Sequence, residues 1–121
     1  MTHNQKGKGY LEVQKIDHFH MQQYAYVLKR MKEIKESDGS SMLDNSLVTY
    51  GAALGDGSTH QYYDLPMIVA GRGQGQIKQG RFIQCKSGTL NSNLWLSVAK
   101  LMGLEMESFA DSTGVVSDMW T

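Results

Sequence analysis

The chain has 121 residues, which is the length of one domain and enough to bury a sizeable core. Its 12 basic residues balance its 12 acidic ones, so no strong electrostatic field favours nucleic acid or an anionic membrane. The single cysteine, Cys85, excludes an intrachain disulfide and a cysteine-rich metal knot. We therefore expect an ordinary globular domain with no nucleic-acid partner.

The N-terminal region carries no recognisable membrane or export signal. Its first ten residues, MTHNQKGKGY, lack the apolar segment of a secretory signal, and no apolar run in the chain approaches the roughly 20 residues that span a bilayer. A mature, a truncated and a cytoplasmic chain would all begin in this way, so the compartment stays open. We expect no membrane-spanning segment and a polar, mobile arm over residues 1–9.

The first predicted element is a long helix over residues 10–36. Apolar side chains and one histidine recur there at spacings of three and four, which is typical of an amphipathic helix. At 1.5 Å per residue the helix would be about 40 Å long, so we expect it to lie across something larger than a domain of this size. His20 is expected to be a hydrogen-bonded core residue. The apolar stripe consists of Val13, Ile16, His20, Tyr24, Val27, Met31 and Ile34.

Two short apolar runs form the predicted centre of the sheet. Leu47–Tyr50 and Met67–Ala70 are rich in β-branched or aromatic residues, and each is followed by a glycine, as a buried strand often is. A further strand or hairpin is expected between Gln76 and Ile83, at the edge of the sheet. The connection between the first two runs is too long for a tight hairpin.

The second predicted helix covers residues 90–102. Thr89 or Asn91 is the expected N-cap, and Gly103 suits the position after the last helical residue. The fold class is therefore α/β, with a small mixed sheet covered by two helices. In chain order, a single domain (1–121) consists of an arm (1–9), a long helix (10–36), a strand–loop–strand core (46–83), a second helix (90–102) and a tail (104–121) that docks on the body.

The glycine-rich run MIVAGRGQGQ matches a dinucleotide-binding fingerprint only in part. Gly71 and Gly73 fit the pattern, but the third glycine would fall on Gln76 and no helix follows. A loop in which glycines permit a tight chain reversal is the favoured interpretation.

The polar loop between the two strands carries the side chains best suited to chemistry. Asp56, His60 and Asp64 follow one another at four-residue spacing, and their oxygen and nitrogen atoms are common ligands of zinc, manganese and iron. A metal site needs three or four ligands, and this spacing matches no self-contained motif. On spacing alone, a turn aspartate and a partly exposed histidine are favoured, and His3 in the polar arm is interpreted as solvated.

Three passages taken together resemble a known family: IDHFHMQQYAYVLKRMK, LDNSLVTYGAALGDGSTHQYYDLPMIVAGRGQGQIKQGRFI and NLWLSVAKLMGLEMESFADSTG. In this order they resemble the C-terminal part of the HXXSHH family, bacterial proteins classed as a domain of unknown function, over about residues 2–115. That family looks related to the alkaline phosphatase and sulfatase superfamily of metal-dependent α/β hydrolases. The resemblance implies that the chain is the C-terminal portion of a longer protein and is not active alone.

The resemblance also implies candidate metal ligands. In the superfamily a late histidine ahead of an apolar strand often binds metal, and His60 occupies that place. Asp56 is a weaker candidate, because the segment Gly51–Gly55 lacks the acidic ligand that active members carry directly after the preceding strand. His3 is another weak candidate, since it matches the name-giving motif while Asn4 stands where a histidine is expected. No catalytic residue is implied within this chain.

Two functions from different classes follow. In the first, the chain belongs to a metal-dependent hydrolase of phosphate or sulfate esters, and His60 binds a divalent zinc, manganese or iron ion. In the second, the chain is a non-catalytic binding or assembly module that keeps the fold without a complete metal site. The expected partner is the upstream part of a longer protein, or a second copy of the chain that pairs through the first helix.

Overall fold

Among the residues that the structure describes, two helices and one pair of strands form a small α/β protein. The computed structural model describes residues 9–120, so the predicted arm, apart from Gly9, lies outside the described residues together with His3 and Thr121. In chain order the elements are α1 (Gly9–Glu33), β1 (Val48–Gly51), β2 (Met67–Ala70), α2 (Asn91–Leu101) and a short 3-10 helix (Ser117–Met119).

The two strands pair antiparallel, with Val48 opposite Ala70 and Gly51 opposite Met67. The prediction of a mixed sheet with a further strand between Gln76 and Ile83 was wrong for the described residues, where the sheet has two strands. Ile77 forms a single bridge with Trp120 instead. Gly75 and Gly80 adopt positive φ angles on either side of this bridge, so the backbone leaves the extended conformation before a strand can develop.

The helix α1 is tied to the body at its middle and at its C-terminal end. The Tyr24 hydroxyl donates a hydrogen bond to the Val48 carbonyl oxygen at 2.9 Å, and its ring lies 5.2 Å from the ring of Tyr50. This partial burial raises the pKa of the Tyr24 hydroxyl. The Leu43 amide then donates to the Met31 carbonyl oxygen at 3.2 Å, which fastens the chain that leaves the helix. The rest of the helix depends on these contacts for its position.

Only one edge of the predicted apolar stripe on α1 contacts the body. Tyr24 and Met31 are half-buried, whereas Ile16, Val27 and Ile34 are exposed. His20 is exposed as well, so the prediction that it is a core residue was wrong. The physical reason is the size of the body, because a two-stranded sheet is too narrow to cover the full width of the stripe.

The core lies between α2, the end of the sheet and the C-terminal tail. Its buried members are Ile77, Leu96, Leu101 and Met119, and three of them (Ile77, Leu101 and Met119) pack into one cluster. Their side chains come from a loop, a helix and the 3-10 turn, so the core depends on contacts between segments that are distant in the sequence. Partly buried hydrophobic side chains surround it: Leu47, Val69, Ile83, Leu94, Val116 and Trp120.

Two polar side chains on α2 bind the tail to the helix. Asn93 Oδ1 accepts a hydrogen bond from the Thr113 amide at 2.9 Å. The fully buried Ser97 hydroxyl donates to the Asn93 carbonyl oxygen and accepts from the Val116 amide, both at 2.7 Å. The helix begins without a side-chain cap, with Leu90 at the N-cap position in place of the expected Thr89 or Asn91. The polar side chains of α2 therefore form hydrogen bonds along the side of the helix and not at its N-terminus.

The turn after β2 passes directly against the segment that precedes β1. Gly71 has a φ of 95°, and a side chain at this position would overlap the carbonyl oxygen of Ser46. The Arg72 amide donates to Leu43 at 3.3 Å, and the Gln74 amide donates to Asp44 at 2.9 Å. The glycine here permits a close backbone approach, in agreement with the interpretation of the run as a reversal loop.

We expect Ser97→Ala to lower the free energy of unfolding by about 1–3 kcal/mol, because it leaves the partly buried Val116 amide without its acceptor. Ser92→Ala is the matched control on the same helix. Within the described part of the chain the buried Ser92 hydroxyl has no hydrogen-bond partner, so its removal should be close to neutral. Urea unfolding of both variants, followed by circular dichroism, checks the difference. Equal losses in the two variants would contradict it.

We expect Gly71→Ala to destabilise the fold more than Gly75→Ala. Both residues have positive φ angles, which cost an alanine about 1–2 kcal/mol. Only at Gly71 does the added methyl group meet a backbone atom, since Gly75 faces open space. Thermal unfolding of the two variants measures the extra loss due to the collision with Ser46.

Candidate functional site

The loop between β1 and β2 is closed by its own backbone. The Gly55 amide donates to the Gln61 carbonyl oxygen at 2.7 Å, and the Gln61 amide donates to the Asp56 carbonyl oxygen at 3.0 Å. Gly55 is required here, because a side chain would overlap the Tyr63 carbonyl oxygen. The loop is therefore an ordered turn that presents the residues between Asp56 and Gln61 at its tip.

The carboxylate of Asp56 stabilises this turn. Its Oδ1 atom accepts a hydrogen bond from the Ser58 amide at 2.7 Å, which is the usual contact of an aspartate in a tight turn. The Ser58 amide, with a contribution from Thr59, holds the pKa of Asp56 below its ordinary value. The side chain is half-buried and used locally, which agrees with the interpretation of Asp56 as a turn former.

His60 lies at the tip of the turn with its side chain exposed. Its φ of 54° places it in the left-handed region, which few residues other than glycine adopt without cost. Asp64, with a φ of 53°, is also exposed. The tyrosines between them, Tyr62 and Tyr63, are 80% and 62% exposed. The loop thus exposes one imidazole and two aromatic rings at this end of the sheet.

The described residues do not form a metal site by themselves. Across residues 9–120, no group of three or more histidine, cysteine, aspartate or glutamate side chains is close enough to hold a metal ion. Of the sequence candidates, Asp56 and His60 share the turn, while His3 lies outside the described residues. Zinc and related ions take at least three protein ligands at catalytic sites. A site at His60 would therefore need ligands from beyond this part of the chain.

An open polar cleft of about 690 Å³ lies on the other side of the body, and sequence reasoning missed it. It forms where the turn after α1 meets the glycine loop after β2, and Glu36, Asp38 and Asp44 contribute carboxylates. These groups already have local partners: the Ser41 amide and hydroxyl donate to Asp44, and the Asn45 amide group donates to Glu36. Hydrogen bonds from serines hold the pKa values of Asp38 and Asp44 below the ordinary range. The carboxylates that line the cleft are therefore explained by the turns that they stabilise.

No protein family, no curated protein and no solved structure matches this chain. Among the described helices, none is long and apolar enough to cross a membrane.

We expect the Asp56 charge to stabilise the fold only above the acidic range. Because the pKa of Asp56 is lowered in the folded chain, its contribution is present above the ordinary aspartate pKa and is lost as the pH falls through the lower, folded value. Asp56→Asn keeps an oxygen acceptor for the Ser58 amide but has no charge to lose. The urea midpoints of wild type and variant should differ near neutral pH and converge between about pH 5 and about pH 2. Parallel pH profiles would contradict this assignment.

Proposed function

We propose that this chain is the C-terminal portion of a phosphatase- or sulfatase-like hydrolase, as its resemblance to the HXXSHH family implies, and that His60 supplies one ligand of its metal. The observation that carries the proposal is the position of His60, exposed at the tip of an ordered turn that leads into β2. This is the order of histidine and apolar strand from which the resemblance implies a metal ligand. Imidazole nitrogen is a common ligand of zinc, manganese and iron, and a further ligand set from elsewhere would complete the site.

The proposed site is shared between this chain and residues that the structure does not describe. His60 provides a single nitrogen ligand, and Asp56 is engaged by the Ser58 amide. The segment Gly51–Gly55 contributes no ligand side chain. We therefore derive no reaction step from these residues, and we expect the chain alone to have no hydrolase activity. The role of His60 is to hold the metal, whereas the nucleophile is supplied from elsewhere.

A second candidate is a non-catalytic binding or assembly module. The observation that favours it is the extent of exposed apolar surface, which includes Phe19 and Tyr26 on α1 and Phe82 after the glycine loop. Large apolar patches on a small protein are typical of surfaces that bind another protein. In this second function the turn at His60 keeps its structure, and its imidazole has no metal to bind.

The test compares His60→Ala with His18→Ala in the natural full-length gene product. The matched control is His18, an exposed histidine on α1. Its Nε2 atom is hydrogen-bonded to Gln22 Nε2 at 3.1 Å. After dialysis against zinc, manganese or iron, the His60 variant should bind the metal at least about tenfold more weakly, as the loss of a ligand requires. The control should bind normally. Bound metal is measured by elemental analysis, and ester hydrolysis by p-nitrophenyl phosphate and p-nitrophenyl sulfate.

A full-length protein that takes up none of these metals would refute the proposed hydrolase function. Equal metal content in the His60 variant and the wild type would remove His60 from the site. If the protein also hydrolyses neither ester, the non-catalytic module becomes the better account.

A further inference from the structure

The solvent side of α1 carries a largely apolar face, which the exposed Gln23 interrupts at its middle. Phe19 and Tyr26 are 55% and 59% exposed, and Ile16 and Val27 are also exposed. With 3.6 residues per turn, these four side chains lie on one side of the helix over about three turns. We refer to Ile16, Phe19, Tyr26 and Val27 as the open face. It is distinct from the edge at Tyr24 and Met31, which contacts the body of the protein.

The charges on α1 divide along its length. In the first half, the acidic Glu12 and Asp17 outnumber the single base, Lys15. In the second half, three bases face one acid, so this half is positive. Of these charges, only Glu12 and Arg30 lie in line with the open face, and this pair of opposite charges complements a copy of the helix in the antiparallel direction. The bases of the second half are Lys29, Arg30 and Lys32, and the acid is Glu33.

Two of these charges flank the open face at its ends. Glu12 and Arg30 are separated by about five full turns, so they lie on the same line along the helix. Within one chain, Glu12 forms a salt bridge with Lys15 at 2.9 Å, and Arg30 forms one with Glu33 at 2.8 Å. Both pairs are largely exposed, and exposed pairs of this kind contribute little stability. Both side chains can therefore exchange these partners for others across an interface at small cost.

We propose that the open face binds the open face of a second copy of the chain, with the two α1 helices antiparallel. A two-fold axis that crosses the open face at the level of residue 21 places Glu12 opposite Arg30 of the second copy, and Ile16 opposite its Tyr26. Such an interface repeats each contact on both sides of the axis, so two ion pairs close its ends. A parallel arrangement would instead bring like charges together. The proposal is independent of metal binding at His60.

The first test compares Phe19→Glu with Leu11→Glu by sedimentation equilibrium of the whole chain. Leu11 is 60% exposed but points away from the open face, so it is the matched control. The wild type should dimerise reversibly between about 1 and about 500 µM, as expected for an interface smaller than the standard size. Phe19→Glu should weaken the dimer at least about tenfold, because it removes a buried aromatic ring and places two charges in the interface. Leu11→Glu should leave it unchanged.

The second test exchanges the charges at the ends of the face. Glu12→Arg alone and Arg30→Glu alone should each weaken the dimer, because each puts like charges opposite one another. The double variant restores opposite charges in the antiparallel arrangement and should recover wild-type association. Helix content by circular dichroism confirms that every variant is folded.

A chain that stays monomeric over the whole concentration range would overturn the proposal and assign the open face to another partner. So would a dimer that tolerates Phe19→Glu as well as Leu11→Glu. Single charge variants that both bind normally, or a double variant that fails to recover, would exclude the antiparallel arrangement.

Discussion

The close approach of two backbone segments, at Gly71 and Ser46, is the constraint on which the rest of the fold depends. It brings the turn after β2 against the chain that leads into β1, and amide groups there donate to Leu43, Ser46 and Asp44. Leu43 is in turn bonded to Met31 of α1. This backbone contact therefore connects α1, the sheet and the loop that contains Ile77 of the core.

The elements with strong local patterns could be predicted from the sequence. The amphipathic repeat indicated α1, and the two apolar runs indicated β1 and β2, because their periodicity reflects local backbone geometry. The region of Ile77 was misjudged for the same reason. Its apolar residues resemble a strand, but their contacts are with Trp120 and Met119, more than forty positions away. A local pattern contains no information on such a partner.

The sequence identified the residues of the candidate site but not their arrangement. Asp56 was interpreted correctly as a turn residue, because aspartate followed by glycine and serine is a strong turn signal. The exposure of His60 agrees with the interpretation favoured from the sequence. Its place at the tip depends on the pairing of Gly55 with Gln61, which a spacing of charged residues does not encode. Similarly, the amphipathic stripe on α1 did not reveal that its partner in the body would be narrow. Which half of a stripe is covered depends on the width of the surface beneath it.

At His60 the backbone is left-handed, so the residue type that suits the proposed chemistry differs from the residue type that best stabilises the turn. A glycine would adopt a φ of 54° without strain, and an asparagine would adopt it more readily than most residues. Selection for a stable turn alone would thus favour the loss of the imidazole. A histidine that persists here carries a strain of about 1 kcal/mol or more, which the closed turn around it must absorb. A glycine or an asparagine at this position in natural variants of the chain would therefore indicate that the imidazole is not required.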